Sequence, residues 1–188
     1  NSNWVPDTCD PDLDGDGFVT TAMLGLDCDD VSPLIRPDLG NQVCGSDYDR
    51  DGFLDLFLTQ YVDLDLEKRC FDEAGRRTYC GPKDFPASGD VLLHNDGGGS
   101  FTDVSQQAGI LAGDVERGAG LGVTVADFTN DGWIDIYVAN DAYANHLWVN
   151  QGNGTFVDAS RLMGTAYNFL GQAEAGMGVV AADFNNDL

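Results

Sequence analysis

The chain has 188 residues, with 32 acidic side chains against 9 basic ones and a net charge of -23. So acidic a balance excludes nucleic acid as a partner, because phosphate binding needs clustered Lys and Arg, and it disfavours an anionic membrane surface. With 43% hydrophobic and 10% aromatic residues the chain can still build a core, which argues against a disordered acidic tail.

The acids are unevenly chosen: 28 are Asp and 4 are Glu. Glu favours helices, whereas Asp favours turns, caps and loops that hold hard cations. No apolar run reaches the ~18 residues of a membrane span, so no membrane insertion is expected. The first residue is Asn and no leader pattern follows, so the chain reads as processed or truncated. Five cysteines without a Cys-x-x-Cys, and only two histidines, speak against structural zinc and for disulfides in an oxidising compartment. Cys70 and Cys80 close a short loop and are expected to pair. Among Cys9, Cys28 and Cys44 one is left over, and Cys28 with Cys44 is the expected pair.

In chain order, residues 1–45 come first, a segment too polar and proline-broken to build a core alone. Asp10, Asp12, Asp14 and Asp16 alternate with Pro, Leu and Gly, and Asp27, Asp29 and Asp30 flank Cys28. These seven are candidate metal ligands.

Repeats follow. Asp47-Tyr-Asp-Arg-Asp-Gly-Phe-Leu-Asp55-Leu recurs as Asp127-Phe-Thr-Asn-Asp-Gly-Trp-Ile-Asp135-Ile, and a third copy starts at Asp183. Leu92-Leu-His-Asn-Asp-Gly-Gly-Gly-Ser-Phe101 likewise matches Leu147-Trp-Val-Asn-Gln-Gly-Asn-Gly-Thr-Phe156. Strands are predicted over 55–59, 122–126, 134–139, 146–150, 156–158 and 178–182. That is four strands per unit, the size of one propeller blade. The predicted fold class is all-β: a partial β-propeller of four-stranded blades behind an Asp-rich segment. Its units are 1–45, a first blade over 46–116, a second over 117–173 and the start of a third over 174–188. The first blade carries an insertion over about 61–89, with five of the nine basic residues, read as a disulfide-pinned excursion.

The first unit shows no recognisable first strand, since residues 41–46 replace it, while the last strand has no blade to join. An unpaired edge seeks a partner, so strand exchange between copies, closing a ring or fibre, is one expectation.

Asp at alternate positions followed by Gly is what a hard cation asks for. Ca²⁺ takes six to eight oxygens at about 2.3–2.6 Å, and a tight loop supplies them from short carboxylates and a backbone carbonyl. Counting each loop from its first Asp, the donors fall at positions 1, 3, 5 and 9, with the carbonyl at 7 and Gly at 6. The first copy offers Asp47, Asp49, Asp51, Asp55 and the Phe53 carbonyl. The second offers Asp127, Thr129, Asp131, Asp135 and the Trp133 carbonyl, one charge fewer. The third offers Asp183, Asn185 and Asp187. Four or five Ca²⁺ would reduce the effective charge to about -13 to -15.

The repeat wording, Gly-x-Gly-Val before Asp127-Phe, then Asp135-Ile-Tyr-Val-Ala-Asn140, then Asn150-Gln-Gly-Asn-Gly-Thr-Phe156, resembles the FG-GAP/VCBS repeat of integrin-α-like calcium-binding propellers. Residues 61–66, 79–82, 138–141 and 173–178 are similar to the bacterial relatives of cartilage acidic protein, which often carry an ASPIC/UnbV domain. The acidic segment resembles thrombospondin type 3 repeats and the metal-binding motif of bacterial surface proteins. The resemblance implies an extracellular or cell-surface scaffold loaded with several Ca²⁺, meeting protein or glycan partners in adhesion or display, with no catalytic role. The residues themselves also give no nucleophile or base pair. His94 and His146 read as equivalent blade-packing positions, and Gly118-Ala-Gly-Leu-Gly122 precedes a strand, which a phosphate loop does not.

Overall fold

The computed structural model describes residues 43–182, apart from 112, 114 and 115. The expectations for Asp10, Asp12, Asp14, Asp16, Asp27, Asp29, Asp30, Asp183, Asn185, Asp187 and the Cys28–Cys44 pair lie outside the described residues. Within them the protein is all-β. In chain order the strands are β1 (Val43–Ser46), β2 (Asp55–Leu58), β3 (Cys70–Phe71), β4 (Arg77–Thr78), β5 (Val91–Asn95), β6 (Phe101–Asp103), β7 (Gly120–Ala126), β8 (Asp135–Asn140), β9 (His146–Asn150) and β10 (Phe156–Asp158). One 3-10 turn, Pro82–Asp84, is added, and no described helix is long and apolar enough to cross a membrane.

The strands form two antiparallel four-stranded meanders, β1-β2-β5-β6 and β7-β8-β9-β10, the layout of propeller blades. β3 and β4 pair only with each other, inside the excursion between β2 and β5. The Cys70–Cys80 disulfide forms there as expected, with Cα atoms 5.2 Å apart.

Two expectations about strand edges are corrected. Val43–Ser46 is a strand, in register with β2 from Val43 opposite Leu58 to Ser46 opposite Asp55. Val-Cys-Gly-Ser lacks the small β-branched alternation of β7, and backbone pairing with β2 makes it a strand regardless. The first blade therefore has its own first strand, and the open place on which strand exchange depended does not exist. Conversely, residues 178–182 form no strand; only an isolated bridge, Asp141 to Ala175, marks that segment. In both blades the first strand is held by the second of the same blade, and 178–182 have no such neighbour among the described residues.

The buried cluster spans both blades. Phe57 and Leu92 come from the first, and Val123, Ile136, Val138, Trp148 and Phe156 from the second. Tyr48, from the turn after β1, packs its ring 5.6 Å from that of Phe156. Apolar burial in this shared cluster, with area removed from water as its source, helps to hold the two blades together.

Backbone contacts between units repeat as the sequence does. Gly120 donates its N–H to the Gln60 carbonyl at 2.9 Å, and Gly176 donates to the Asn140 carbonyl at 3.2 Å. Gln60 and Asn140 each lie five residues after the ninth loop position, and Gly120 and Gly176 each seven before the first. Glycine is favoured at Gly120, where a Cβ would stand 2.9 Å from Thr59 Cβ, and a Cβ on Gly122 would crowd Gly178 Cα at 3.1 Å.

The two corners differ in one titratable group. Gln60 donates its N–H to Asp90 Oδ1 at 3.0 Å, whereas Asn140 donates its N–H to Asn145 Oδ1 at 2.9 Å. Asp90 is buried, and that burial pushes its carboxyl from 3.8 up to about 7 against the pull of the Gln60 N–H. Between those values the folded chain keeps a proton that the unfolded chain has released. Stability from this group therefore falls as pH rises from about 4 to about 7 and is flat above. Asp90→Asn keeps the acceptor and removes the charge. In urea unfolding it should gain up to about 4 kcal/mol at pH 8 and nothing at pH 4. An equal effect at both pH values would count against this account.

Candidate metal centre

Each acidic loop joins the first and second strands of its blade: residues 47–54 between β1 and β2, and residues 127–134 between β7 and β8. The two have one backbone shape. Position 4 is left-handed, with φ of 66° at Arg50 and 57° at Asn130. Position 6 is left-handed too, 93° at Gly52 and 88° at Gly132, which favours glycine.

This shape folds each loop around its first carboxylate. Asp51 and Gly52 donate their N–H groups to the two oxygens of Asp47, both at 3.0 Å. Asp131 and Gly132 donate to the oxygens of Asp127 at 3.1 and 2.7 Å. Burial opposes the charge on Asp127, but the backbone N–H groups of residues 129–132 hold its carboxyl below the usual range. Asp51 and Asp131 at position 5 accept the N–H of Phe53 and Trp133, each at 2.9 Å. The rings of those two residues pack over Gly97 and Gly152 of the following hairpins. Arg50 bridges the loops: its guanidinium lies 3.9 Å from the Trp133 ring centre and donates to the Gly132 carbonyl.

Position 9 does more than its spacing suggested. Asp55 and Asp135 are 1% and 0% exposed, the most enclosed of the candidate ligands among the described residues. Asp55 accepts N–H groups from Tyr48 (3.2 Å) and Asn95 (2.8 Å). Asp135 accepts them from Phe128 (2.9 Å), Thr129 (3.2 Å) and Asn150 (2.9 Å). Each carboxylate thus ties the start of the loop to the third strand of the blade. Burial pushes Asp55 up to about 6 against the N–H groups of Asn95 and Tyr48, and it raises Asp135 likewise.

Three residues that the ligand pattern missed complete this frame. Asn95 and Asn150 donate their side-chain amides to the carbonyls of Leu54 (3.0 Å) and Ile134 (3.2 Å). Asn150 also reaches the Tyr48 carbonyl in the other blade at 2.9 Å. The repeated Asn of the hairpin motif was the available signal. The third is His94, and here the expected equivalence of the two histidines is corrected. Counted from the paired asparagines, His94 aligns with Val149, not with His146. Its ring stands among Asp49, Asp51, Asp55 and Asp96, at 3.4, 3.7, 3.2 and 4.0 Å. His146 is buried instead beside Trp148, their rings 5.2 Å apart, and burial lowers its pKa.

The donors gather differently in the two loops. In the first, the ligand atoms of Asp47, Asp49 and Asp51 lie within 4.8 Å of one another, as do those of Asp49, Asp55 and His94. Either group could hold a metal ion. In the second, no comparable group of three acidic or histidine side chains forms among the described residues. Thr129 stands at position 3, and its hydroxyl oxygen is buried with no hydrogen-bond partner. A buried hydroxyl left unpaired is costly unless something meets it. An oxygen-seeking cation bound between Asp127 and Asp131 fits that donor set.

A repeat of paired four-stranded sheets, each with an Asp loop after its first strand, is the form of one repeat class. The model described as the FG-GAP-like repeat matches residues 78–138 and again residues 127–188. Those matches take in more than half of the chain, which belongs to the FG-GAP-like repeat family. Cartilage acidic protein 1 of Mus musculus is 31% identical over 96 residues, 51% of this chain and 14% of that protein. Cartilage acidic protein 1 of Homo sapiens is 35% identical over 88 residues, 47% of this chain and 12% of that protein. The chain thus spans a small part of the length of the curated relatives it matches.

Proposed function

We propose that this chain is part of an extracellular calcium-binding scaffold in which Ca²⁺ stiffens the loops between the first two strands of each blade. The observation that carries the reading is the second loop, where Thr129, at the loop position that Asp49 holds in the first, keeps a buried hydroxyl with no hydrogen-bond partner. Two loops of one shape, both lined by oxygen donors, support the same conclusion. The Cys70–Cys80 disulfide supports an oxidising, secreted or cell-surface setting. The blades then act as a frame that displays surface loops to protein or glycan partners, in adhesion or matrix assembly, without catalysis.

Equilibrium dialysis with radioactive calcium tests this reading. Asp47→Asn with Asp51→Asn should remove one bound ion from the stoichiometry, and Asp127→Asn with Asp131→Asn another. Unchanged stoichiometry in both double variants would remove the calcium assignment.

A further inference from the structure

The first loop carries a nitrogen donor that the second lacks. The two blades share a backbone plan, so their side chains compare position by position. Asp49 and His94 in the first blade stand where Thr129 and Val149 stand in the second. Both changes fall on one spot, because Asp49 Oδ2 is 3.4 Å from His94 Nδ1. The same nitrogen is 3.2 Å from Asp55 Oδ1. We propose that Asp49, Asp55 and His94 form a mixed nitrogen–oxygen pocket for a first-row divalent ion of the zinc type, distinct in chemistry from the all-oxygen second loop.

Three observations support it. The first is size. Donors about 2.0–2.2 Å from a metal stand about 2.8–3.1 Å apart along the edges of an octahedron and about 3.3–3.6 Å apart along those of a tetrahedron. The separations of 3.2 and 3.4 Å at His94 Nδ1 lie close to the tetrahedral edge, the shorter one serving as a hydrogen bond to Asp55 when no ion is bound. The second is donor type, since imidazole suits zinc and its neighbours whereas calcium asks for oxygen alone. The third is the outer shell. With Nδ1 turned to the ion, Nε2 faces Asp51 at 3.7 Å and Asp96 at 4.0 Å. Those carboxylates lie beyond direct hydrogen-bond reach and act on the far nitrogen through their negative charge, which favours an N–H there and leaves Nδ1 free for the ion. Asp55 is itself held by the Asn95 and Tyr48 N–H groups, so one ligand is positioned before any ion arrives. Asp96 too is replaced in the second blade, by Gln151.

The inference rests on the reading of the first loop as a metal centre, with Asp49 and Asp55 shared between the two donor sets. Zinc therefore displaces calcium from the first loop and leaves the second alone. The chain has only two histidines, His94 and His146, so long-range nitrogen–proton NMR spectra resolve both rings. In the calcium-saturated full chain, zinc in modest excess should shift the Nδ1 signal of His94 as a metal-bound nitrogen. His146, buried in the second blade, serves as the unmoved reference. His94→Gln should weaken zinc binding at this loop by at least about tenfold while leaving the second loop's calcium in place. Cobalt(II) in place of zinc should give visible absorption bands that this variant loses. His94 signals unmoved by zinc in the wild-type chain would overturn the inference, whether or not the variant folds, and so would equal zinc affinity in a folded variant. Failure of the calcium reading shows separately, as dialysis that finds no calcium in either loop.

Discussion

Removing calcium should lower the melting temperature of this chain by about 10–20 °C. A ligand at a hundred times its dissociation constant stabilises the folded state by about 2.7 kcal/mol per site, so two loops contribute about 5 kcal/mol. For a chain of this length each kcal/mol moves the melting point by about 2–4 °C. The effect depends on pH in a stated direction. Burial places Asp55 at about 6 when folded, against 3.8 to begin with. Without metal, stability from this group falls as pH rises from about 4 to about 6, because the folded chain keeps a proton that the unfolded one has lost. A cation needs the bare carboxylate and displaces that proton. The first loop's share of the calcium increment is therefore full well above pH 6 and shrinks as pH falls through it, to about half at pH 5. Melts followed by circular dichroism, with calcium and with chelator at both pH values, measure this directly. Identical melts with calcium and with chelator at neutral pH would contradict it.

Asp135→Ala should be the most damaging single substitution in the loops, and damaging without any metal. The residue is fully enclosed and accepts three backbone N–H groups, from Phe128, Thr129 and Asn150. Truncation leaves those donors unpaired inside the blade. Each costs about 1–3 kcal/mol, partly offset by removal of a carboxyl whose burial is itself unfavourable. A net loss of about 3–5 kcal/mol is expected, a large share of the 5–15 kcal/mol that holds a typical domain. Asp131→Asn makes the contrast. Its amide oxygen can still accept the Trp133 N–H, so in chelator it should cost less than about 1 kcal/mol while abolishing the calcium increment of the second loop. Urea unfolding of both variants, with calcium and with chelator, separates a structural tie from a ligand. Equal losses for the two variants in chelator would contradict the distinction.

The spacing of the Asp loops was legible because it recurs at Asp47 and Asp127 with glycine at the same place. The strands after each loop, the hairpins and the Cys70–Cys80 pair followed from equally local signals. What escaped needed partners distant in sequence. β1 is a strand because β2 lies beside it, not because Val-Cys-Gly-Ser has a strand pattern. The role of Asp55 depends on Asn95, 40 residues on, so a local motif shows only an inward carboxylate. His94 is different: its true counterpart, Val149, was readable by aligning Asn95 with Asn150. Pairing the two histidines by type, rather than by register, concealed it. Asp90 and Asn145 illustrate the same point, since the register that pairs Asn95 with Asn150 pairs them as well.

Terbium luminescence tests, at one named position, whether hard cations sit in the loops. Tb³⁺ takes calcium sites and emits when a nearby indole absorbs for it. Of the three tryptophans, Trp133 is position 7 of the second loop, Trp148 is buried within the blade, and Trp4, in the N-terminal Asp-rich segment, is replaced by Phe in the background of every measurement. Excited through tryptophan, the Tb³⁺-loaded chain should emit strongly, lose most of that emission in Trp133→Phe, and lose it again when Ca²⁺ is added in excess. Emission that Trp133→Phe leaves intact, or that excess Ca²⁺ does not displace, would contradict the account.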